Sequence, residues 1–360
     1  MPRLLALLAL VGFAAGAHAQ DGFKPLFNGK DLTGWHNVNC APSTWYVKDN
    51  MIITTGKPTG YLRTDKQYEN FVLEFEWFHA PAKKGAVGNS GLFVWGDPIP
   101  AKGTGYTRSI EVQVLVNLEV KDTYTSQGDL FSIWGAKCKP DRPHPKGWER
   151  CLPSENRCKG EYEWNHYKVV ANNGVLKLHV NGKEVSGVSE CNPRKGYLAL
   201  ESEGSECRFK NIKIKELPST NPKPSEVCDV DKGWKCLFTG LDLSGWKVPV
   251  QMNDGVLRIQ PAPAIWSEQS FGNFEMVIDY NANSTLFVRG GSKIALEAVD
   301  KGWNRAVVSV KGSTARVTIN GKGDEKTPPI GSASTGPIGL SLSGAGQFRN
   351  VFVRALKDGE

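Results

Sequence analysis

Glu111 and Gln113 stand two residues apart in the stretch Ser109-Ile-Glu-Val-Gln-Val-Leu-Val-Asn117. Apolar Ile110, Val112, Val114 and Val116 alternate with Glu111, Gln113 and Leu115, the period of a β-strand with two unlike faces. On such a strand the acid and the amide share a face and lie about 7 Å apart. On the floor of a groove that pair could move protons; on an open face it would only be solvated. Three further acids, Glu163, Glu201 and Glu203, and one arginine, Arg63, gain weight once the chain is compared with itself.

The phrase Leu26-Phe-Asn-Gly-Lys-Asp-Leu-Thr-Gly-Trp35 returns as Leu237-Phe-Thr-Gly-Leu-Asp-Leu-Ser-Gly-Trp246. Asn89-Ser-Gly-Leu-Phe-Val-Trp-Gly96 is echoed by Asn283-Ser-Thr-Leu-Phe-Val-Arg-Gly290, and Trp164-Asn165 by Trp303-Asn304. The hairpin signal Val180-Asn-Gly-Lys183 matches Ile319-Asn-Gly-Lys322, and Arg208-Phe-Lys-Asn-Ile212 matches Gln347-Phe-Arg-Asn-Val351. The pattern predicts two tandem copies of one domain, at 21–218 and 233–357, joined by a Pro-rich linker at 219–232 and packed on each other. Each copy is a string of short alternating runs with Asn-Gly and Gly-rich turns and no convincing helical period, so an all-β fold of two-sheet sandwiches is expected.

The copies keep their apolar positions and lose their chemistry. Glu111 falls opposite Ala295, Glu163 opposite Gly302, Glu201 opposite Ser341, Glu203 opposite Ser343 and Arg63 opposite Trp266. Ionisable residues that a scaffold can discard are better candidates for chemistry than for stability; the competing explanation is exposed positions that drifted. Glu76 is answered by Asp279 and reads as structural, and His36, His79, His144, His166 and His179 all fall in the first copy. The second copy almost entirely lacks the long insertion between Gly96 and Trp164, which is expected to form a wall or lid over one end of the sheet, or a purely structural extension.

Composition sets the bounds. The chain has 360 residues, enough for two ordinary cores, and its 39 Gly, 21 Pro and 11 Trp beside short runs favour strands. A net charge of +7 without any basic run argues against a nucleic-acid partner. Residues 1–19, with Arg3, an apolar run and Ala17-His-Ala19, read as a secretory signal peptide, which implies a secreted or periplasmic bacterial protein with no membrane span. In an oxidising compartment the eight cysteines would form up to four disulfides, with Cys228/Cys236 and Cys191/Cys207 as the local guesses. Zinc at Cys138, His144, Cys151 and Cys158 is the alternative, although their spacing matches no zinc pattern. No Gly-x-Ser-x-Gly elbow, P-loop or dinucleotide fingerprint occurs, nor the Glu-x-Asp-x-Glu strand of jelly-roll glucanases.

Asn89-Ser-Gly-Leu-Phe, Glu111-Val-Gln-Val-Leu, Glu163-Trp-Asn165 and Gly196-Tyr-Leu-Ala-Leu-Glu-Ser-Glu-Gly204, followed by Phe209-Lys-Asn-Ile, resemble the 3-keto-disaccharide hydrolase domain family, the 3-keto-glycoside lyase/hydratases. The resemblance covers most of the first copy and, more weakly, the second. It implies two concanavalin-like jelly-roll sandwiches in tandem, the second degenerate, and an exported protein acting on oxidised sugars. It also implies proton abstraction at C2 of a 3-keto-glycoside, elimination at C1 and hydration. Glu111 would then serve as base or metal ligand and Glu203 as the partner acid, with Glu163 and Glu201 as second choices for that chemistry. Arg63, Asn89, Ser90, Trp95, Gln113, Asn117 and Glu201 would line the sugar, and Arg63, Gln113, Asn117 or a divalent metal cation would stabilise the enolate. Three positions depart from the family pattern: Val116-Asn117 stands where many members have Asp-Asn, Glu203-Gly204 where many have His-Gly, and Trp95 where Arg is common. The rival expectation is a carbohydrate-binding protein without catalysis, using Trp77, Trp95 or Trp134 as a platform.

Overall fold

The computed structural model describes residues 22–81, 83, 85–116, 127–247, 251–253, 255–259, 264–326 and 328–357. The expected signal peptide therefore lies outside the described residues, as does Asn117. The chain is all-β: among the described residues the only helical element is the short turn Pro224–Glu226, and no helix is long and apolar enough to cross a membrane.

Two sheets enclose the first core. A nine-stranded sheet runs in the order Lys137–Pro140, Lys183–Asn192, Val175–Val180, Asn165–Asn172, Phe71–His79, Cys207–Glu216, Met51–Thr54, Trp45–Lys48, with Lys24–Pro25 added beside Cys207–Glu216. A seven-stranded sheet runs Arg150–Cys151, Leu130–Ile133, Ser109–Val116, Gly88–Gly96, Tyr197–Ser202, Gly60–Thr64, Trp35–Val38. Alternation explains how they meet. Phe71, Leu73, Phe75 and Trp77 from one sheet, and Ile110, Val112, Val114 and Val116 from the other, are buried in a shared cluster. The Asn181-Gly182 turn closes its hairpin with both residues at positive φ, +47° and +89°, as the Asn-Gly signal requires.

A second core lies between a sheet centred on Phe274–Tyr280 and a four-stranded sheet ordered Ile265–Phe271, Gly336–Leu342, Ser284–Val288, Ser292–Leu296. The larger sheet runs Gln251–Asn253, Val256–Ile259, Gly346–Ala355, Phe274–Tyr280, Asn304–Lys311, Thr314–Ile319, Lys322–Lys326. That order matches the seven strands of the first unit from Trp45–Lys48 to Lys183–Asn192.

The two units touch. Val277, Val307 and Phe352 of the second pack on Val38, Tyr61, Phe93 and Ala199 of the seven-stranded sheet, with Trp234 between them. The segment 219–232 is pinned to the first unit rather than free: Gln67 donates to the Cys228 and Asp229 carbonyls, and Asp231 pairs with Arg63 at 2.8 Å. The 97–163 insertion adds Leu130–Ile133 and Arg150–Cys151 to one sheet edge and Lys137–Pro140 to the other.

All eight cysteines are free thiols here. The expected pairings Cys228/Cys236 and Cys191/Cys207 are not formed in this structure. Cys228 Sγ contacts the Trp95 carbonyl at 3.0 Å, while Cys236 Sγ faces the Phe238 carbonyl and Asn39. Cys191 Sγ turns to the Ser189 carbonyl, and Cys207 sits fully buried in the first core.

Candidate functional site: a buried carboxyl cluster

The Ser109–Val116 strand pairs with Gly88–Gly96 so that Glu111 lies opposite Phe93 and Gln113 opposite Gly91. On the far side of Gly88–Gly96, Leu92 pairs with Leu200, which brings Glu201 level with Gly91. Gly91 is what makes the cluster possible. A Cβ there would sit 2.9 Å from both Glu111 Oε1 and Glu201 Oε2, so a side chain would fill the space that the two carboxyls border.

Both acids are buried, Glu111 to 6 % exposure and Glu201 to 1 %. Neither oxygen of Glu201 has a hydrogen-bond partner among the described residues. Burial removes the water that would stabilise a carboxylate, so both groups hold their protons more tightly. Burial, and then the charge of Glu203, pushes the Glu111 carboxyl up to about 8, with Arg150 pulling against the shift. The Glu201 carboxyl is driven well above its usual range by burial first and by Glu111 and Glu203 after it.

Glu203 is held differently. The Tyr106 hydroxyl donates to its Oε1 at 2.6 Å, and the Asn89 amide donates to its Oε2. Asn89 accepts in turn from Gln113 Nε2 at 2.7 Å, and that same nitrogen donates to the Ser90 carbonyl at 3.2 Å. Asn89, Gln113, Glu203 and Tyr106 thus form one connected polar network beside the two buried acids. Trp134, half exposed, stacks on Tyr106 with ring planes 9° apart and leads into a hollow of about 660 Å³ bordered by Phe131, Trp148 and Arg150. Arg150 crowns the Phe131 ring at 3.7 Å and pairs with buried Asp129 at 2.8 Å.

The structure therefore gathers Glu111, Glu201, Glu203, Asn89 and Gln113, and puts other expected residues elsewhere. Glu163 is exposed on a turn leading to the nine-stranded sheet, where it accepts from the Gly160 amide. Arg63 is buried, but its nitrogens are spent on the Pro98 and Thr64 carbonyls and on Asp231. Ser90 sits one residue out of phase with Asn89 and Gly91 and bonds the Glu201 carbonyl from the core side. Trp95 and Trp77 are fully buried in the core, the former donating to the Glu69 carbonyl, so of the three expected platforms only Trp134 reaches solvent. Tyr106 is the member that sequence reasoning missed: it lies in an irregular loop with no periodicity to mark it. Among the described residues no three His, Cys, Asp or Glu side chains are arranged to share a cation.

An all-β sandwich with buried glutamates on one sheet face is the class of protein that this geometry defines. The family model of the 3-keto-alpha-glucoside-1,2-lyase-like domain matches residues 22–215, and the chain belongs to that family. Similar solved structures include a proposed glycosyl hydrolase from Parabacteroides distasonis, 23 % identical over 55 % of this chain and 94 % of its own, with a TM-score of 0.41. A carbohydrate binding module from Bacillus subtilis is 12 % identical over 51 % of this chain and 96 % of its own, with a TM-score of 0.37. The exoplasmic/lumenal domain of VIP36, bound to Ca2+ and mannose, is 9 % identical over 58 % of this chain and 95 % of its own, with a TM-score of 0.40. No curated protein matches the chain.

Proposed function

We propose that the first unit cleaves a 3-keto-glycoside by elimination followed by hydration. The observation that carries this reading is the pair of buried carboxyls bordering Gly91, one of them, Glu201, unpartnered among the described residues. A ketone at C3 acidifies the hydrogen on C2, because the electron pair left behind spreads into the carbonyl as an enolate. Glu111, as carboxylate, takes that proton. The enolate then restores the C3 carbonyl while a C1=C2 double bond forms and the C1–O bond breaks. Glu201 protonates the departing oxygen. Water next adds across C1=C2: Glu201, now ionised, takes a proton from it as its oxygen bonds to C1, and Glu111 returns its proton to C2. The net change is hydrolysis, and both glutamates end as they began.

This assignment replaces Glu203 with Glu201 as the acid. Both Glu203 oxygens are already held, by Tyr106 and Asn89, whereas those of Glu201 are buried and bonded to nothing among the described residues. The Tyr106 hydroxyl is the donor we assign to the enolate oxygen, released from Glu203 as the ring enters. The signal-like residues 1–19 support work outside the cytoplasm, and the second unit, with its matching strand order and lost acids, is read as a degenerate copy.

Incubating the protein with a 3-keto-disaccharide and following free sugar tests the reaction. Release that requires the C3 ketone is the expected result; binding without release would leave a carbohydrate-binding protein. The half-exposed Trp134 would cradle a bound sugar in either case. Trp134→Ala should raise KM about tenfold, the worth of one good aromatic contact, with kcat within about twofold. An unchanged KM would remove Trp134 from the site.

A further inference from the structure

The loop that presents Tyr106 to the carboxyls is held from the second unit. Within the loop, Ala101 N–H donates to the Tyr106 carbonyl at 2.9 Å, and Tyr106 N–H donates to Thr104 Oγ1 at 3.2 Å. Other polar groups of 100–104 reach across. Gly103 N–H donates to Asp279 Oδ2 at 2.8 Å. Asn350 Nδ2 donates to the Thr104 carbonyl at 2.8 Å, to the Ala101 carbonyl at 3.2 Å and to Asp279 at 2.6 Å. Arg305 pairs with both Asp279 oxygens and also donates to the Pro100 carbonyl at 2.8 Å, while Arg349 donates to the Gly103 carbonyl at 3.1 Å. Asp279 and Asn350 are both fully buried. Gly103 has φ +75°, and a Cβ there would fall 2.4 Å from the Trp303 ring, so the backbone itself lies against the second unit.

The first unit shows what this pair does without a guest. By the sequence repeat, Glu76 and Asn211 occupy the positions of Asp279 and Asn350. Asn211 donates to Glu76 at 2.7 Å on a wetted face shared with Lys210. In the second unit the same two positions are sealed beneath the 100–104 backbone: the Asn350 amide nitrogen and an Asp279 oxygen turn to the loop, while Asn350 Oδ1 accepts from Asn39 of the first unit at 2.6 Å. A buried polar cluster with every partner satisfied fixes one geometry, since any shift strands groups away from water.

We infer that the second unit is a working part of the candidate site: Asp279 and Asn350 are positioning residues that clasp the 100–104 loop and so set Tyr106 against Glu203. For its catalytic arm the inference rests on the function proposed above, but the clasp itself does not. The test is Asn350→Ala in the full chain, with Lys102→Ala as the control. Lys102 sits in the same loop but meets Asp300 and Asn320 in exposed contacts of 3.3 and 3.2 Å, so its variant should match wild type. In Asn350→Ala, amide deuterium exchange across 100–106 should quicken at least tenfold while exchange in Ser109–Val116 stays unchanged. kcat on a 3-keto-disaccharide should fall about ten- to hundredfold with KM within about threefold. If Asn350→Ala unfolds, Arg349→Ala, which removes one part-buried bond to the loop, should give the same pattern with a smaller amplitude. Unchanged exchange at 100–106 in a folded variant overturns the clasp, whatever the protein turns over. Faster exchange with wild-type kcat overturns the positioning role, whereas a wild-type protein that releases no sugar counts against the proposed reaction only.

Discussion

Glu111→Gln should lower turnover of a 3-keto-glycoside by roughly 10²- to 10⁴-fold, the range that a positioned general base contributes. KM should stay within a few-fold, because the amide keeps the shape of the acid and takes away only its ability to accept a proton. The wild-type pH profile carries the same claim independently. A base must be ionised to act, and the Glu111 carboxyl is pushed up to about 8 by burial and by Glu203. Below that value the ionised fraction falls tenfold per pH unit, so kcat should climb with pH and level off near 8. Glu201 is driven well above its usual range by burial, which favours the proton it would donate. A flat profile between pH 5 and 8, or a Glu111→Gln enzyme of normal turnover, would show that another group takes the C2 proton. Glu203 would then be the candidate, and Tyr106→Phe would be the variant to make, since Tyr106 holds it in place.

Strand alternation makes much of this legible in the sequence. Period two fixed the face shared by Glu111 and Gln113, and the self-comparison singled out Glu201 and Glu203 because their partners in the second copy are serines. The same comparison also picked out Glu163 and Arg63, which lie away from the carboxyl cluster. It detects residues that one copy lacks, and a turn acid or an arginine pinning the linker is lost as readily as a catalytic one. Ser90 faces the other way because a one-residue step on a strand reverses the face, although its neighbours Asn89 and Gly91 border the site. Gly91 carried a signal that could have been used: a glycine inside an apolar strand marks a close approach. Tyr106 and its clasp had none. They depend on a loop meeting residues some 180 to 250 positions away, and no local pattern encodes such a contact.

Glu201→Gln should flatten the dependence of stability on pH. The unfolded chain ionises this carboxyl near its ordinary 4.5, while the folded chain holds the proton far higher because burial, then Glu111 and Glu203, oppose the charge. Below about pH 4.5 the group is protonated in both states and costs folding nothing. As pH rises past that value the unfolded state gains by ionising and the folded state does not, so stability drains away until the folded group ionises as well. Glu111 adds a loss of the same sign between 4.5 and about 8. Between pH 5 and pH 9 these two groups should therefore lower the wild-type melting temperature, by about 2–4 °C for each kcal/mol lost, against the opposite pull of buried His79, whose lowered pKa adds stability as pH rises towards 6.5. A glutamine cannot ionise, so the Glu201→Gln slope should be distinctly shallower. Its level at pH 5 is less informative, because a buried amide without partners has a desolvation cost of its own at every pH. Carboxylates with lowered values, such as Glu149 bonded to Ser132, act only at the acid end and cancel between the two proteins. Parallel wild-type and variant curves would mean that Glu201 is charged and wetted, and the dry acid on which the proposed proton transfer to the leaving oxygen depends would not exist.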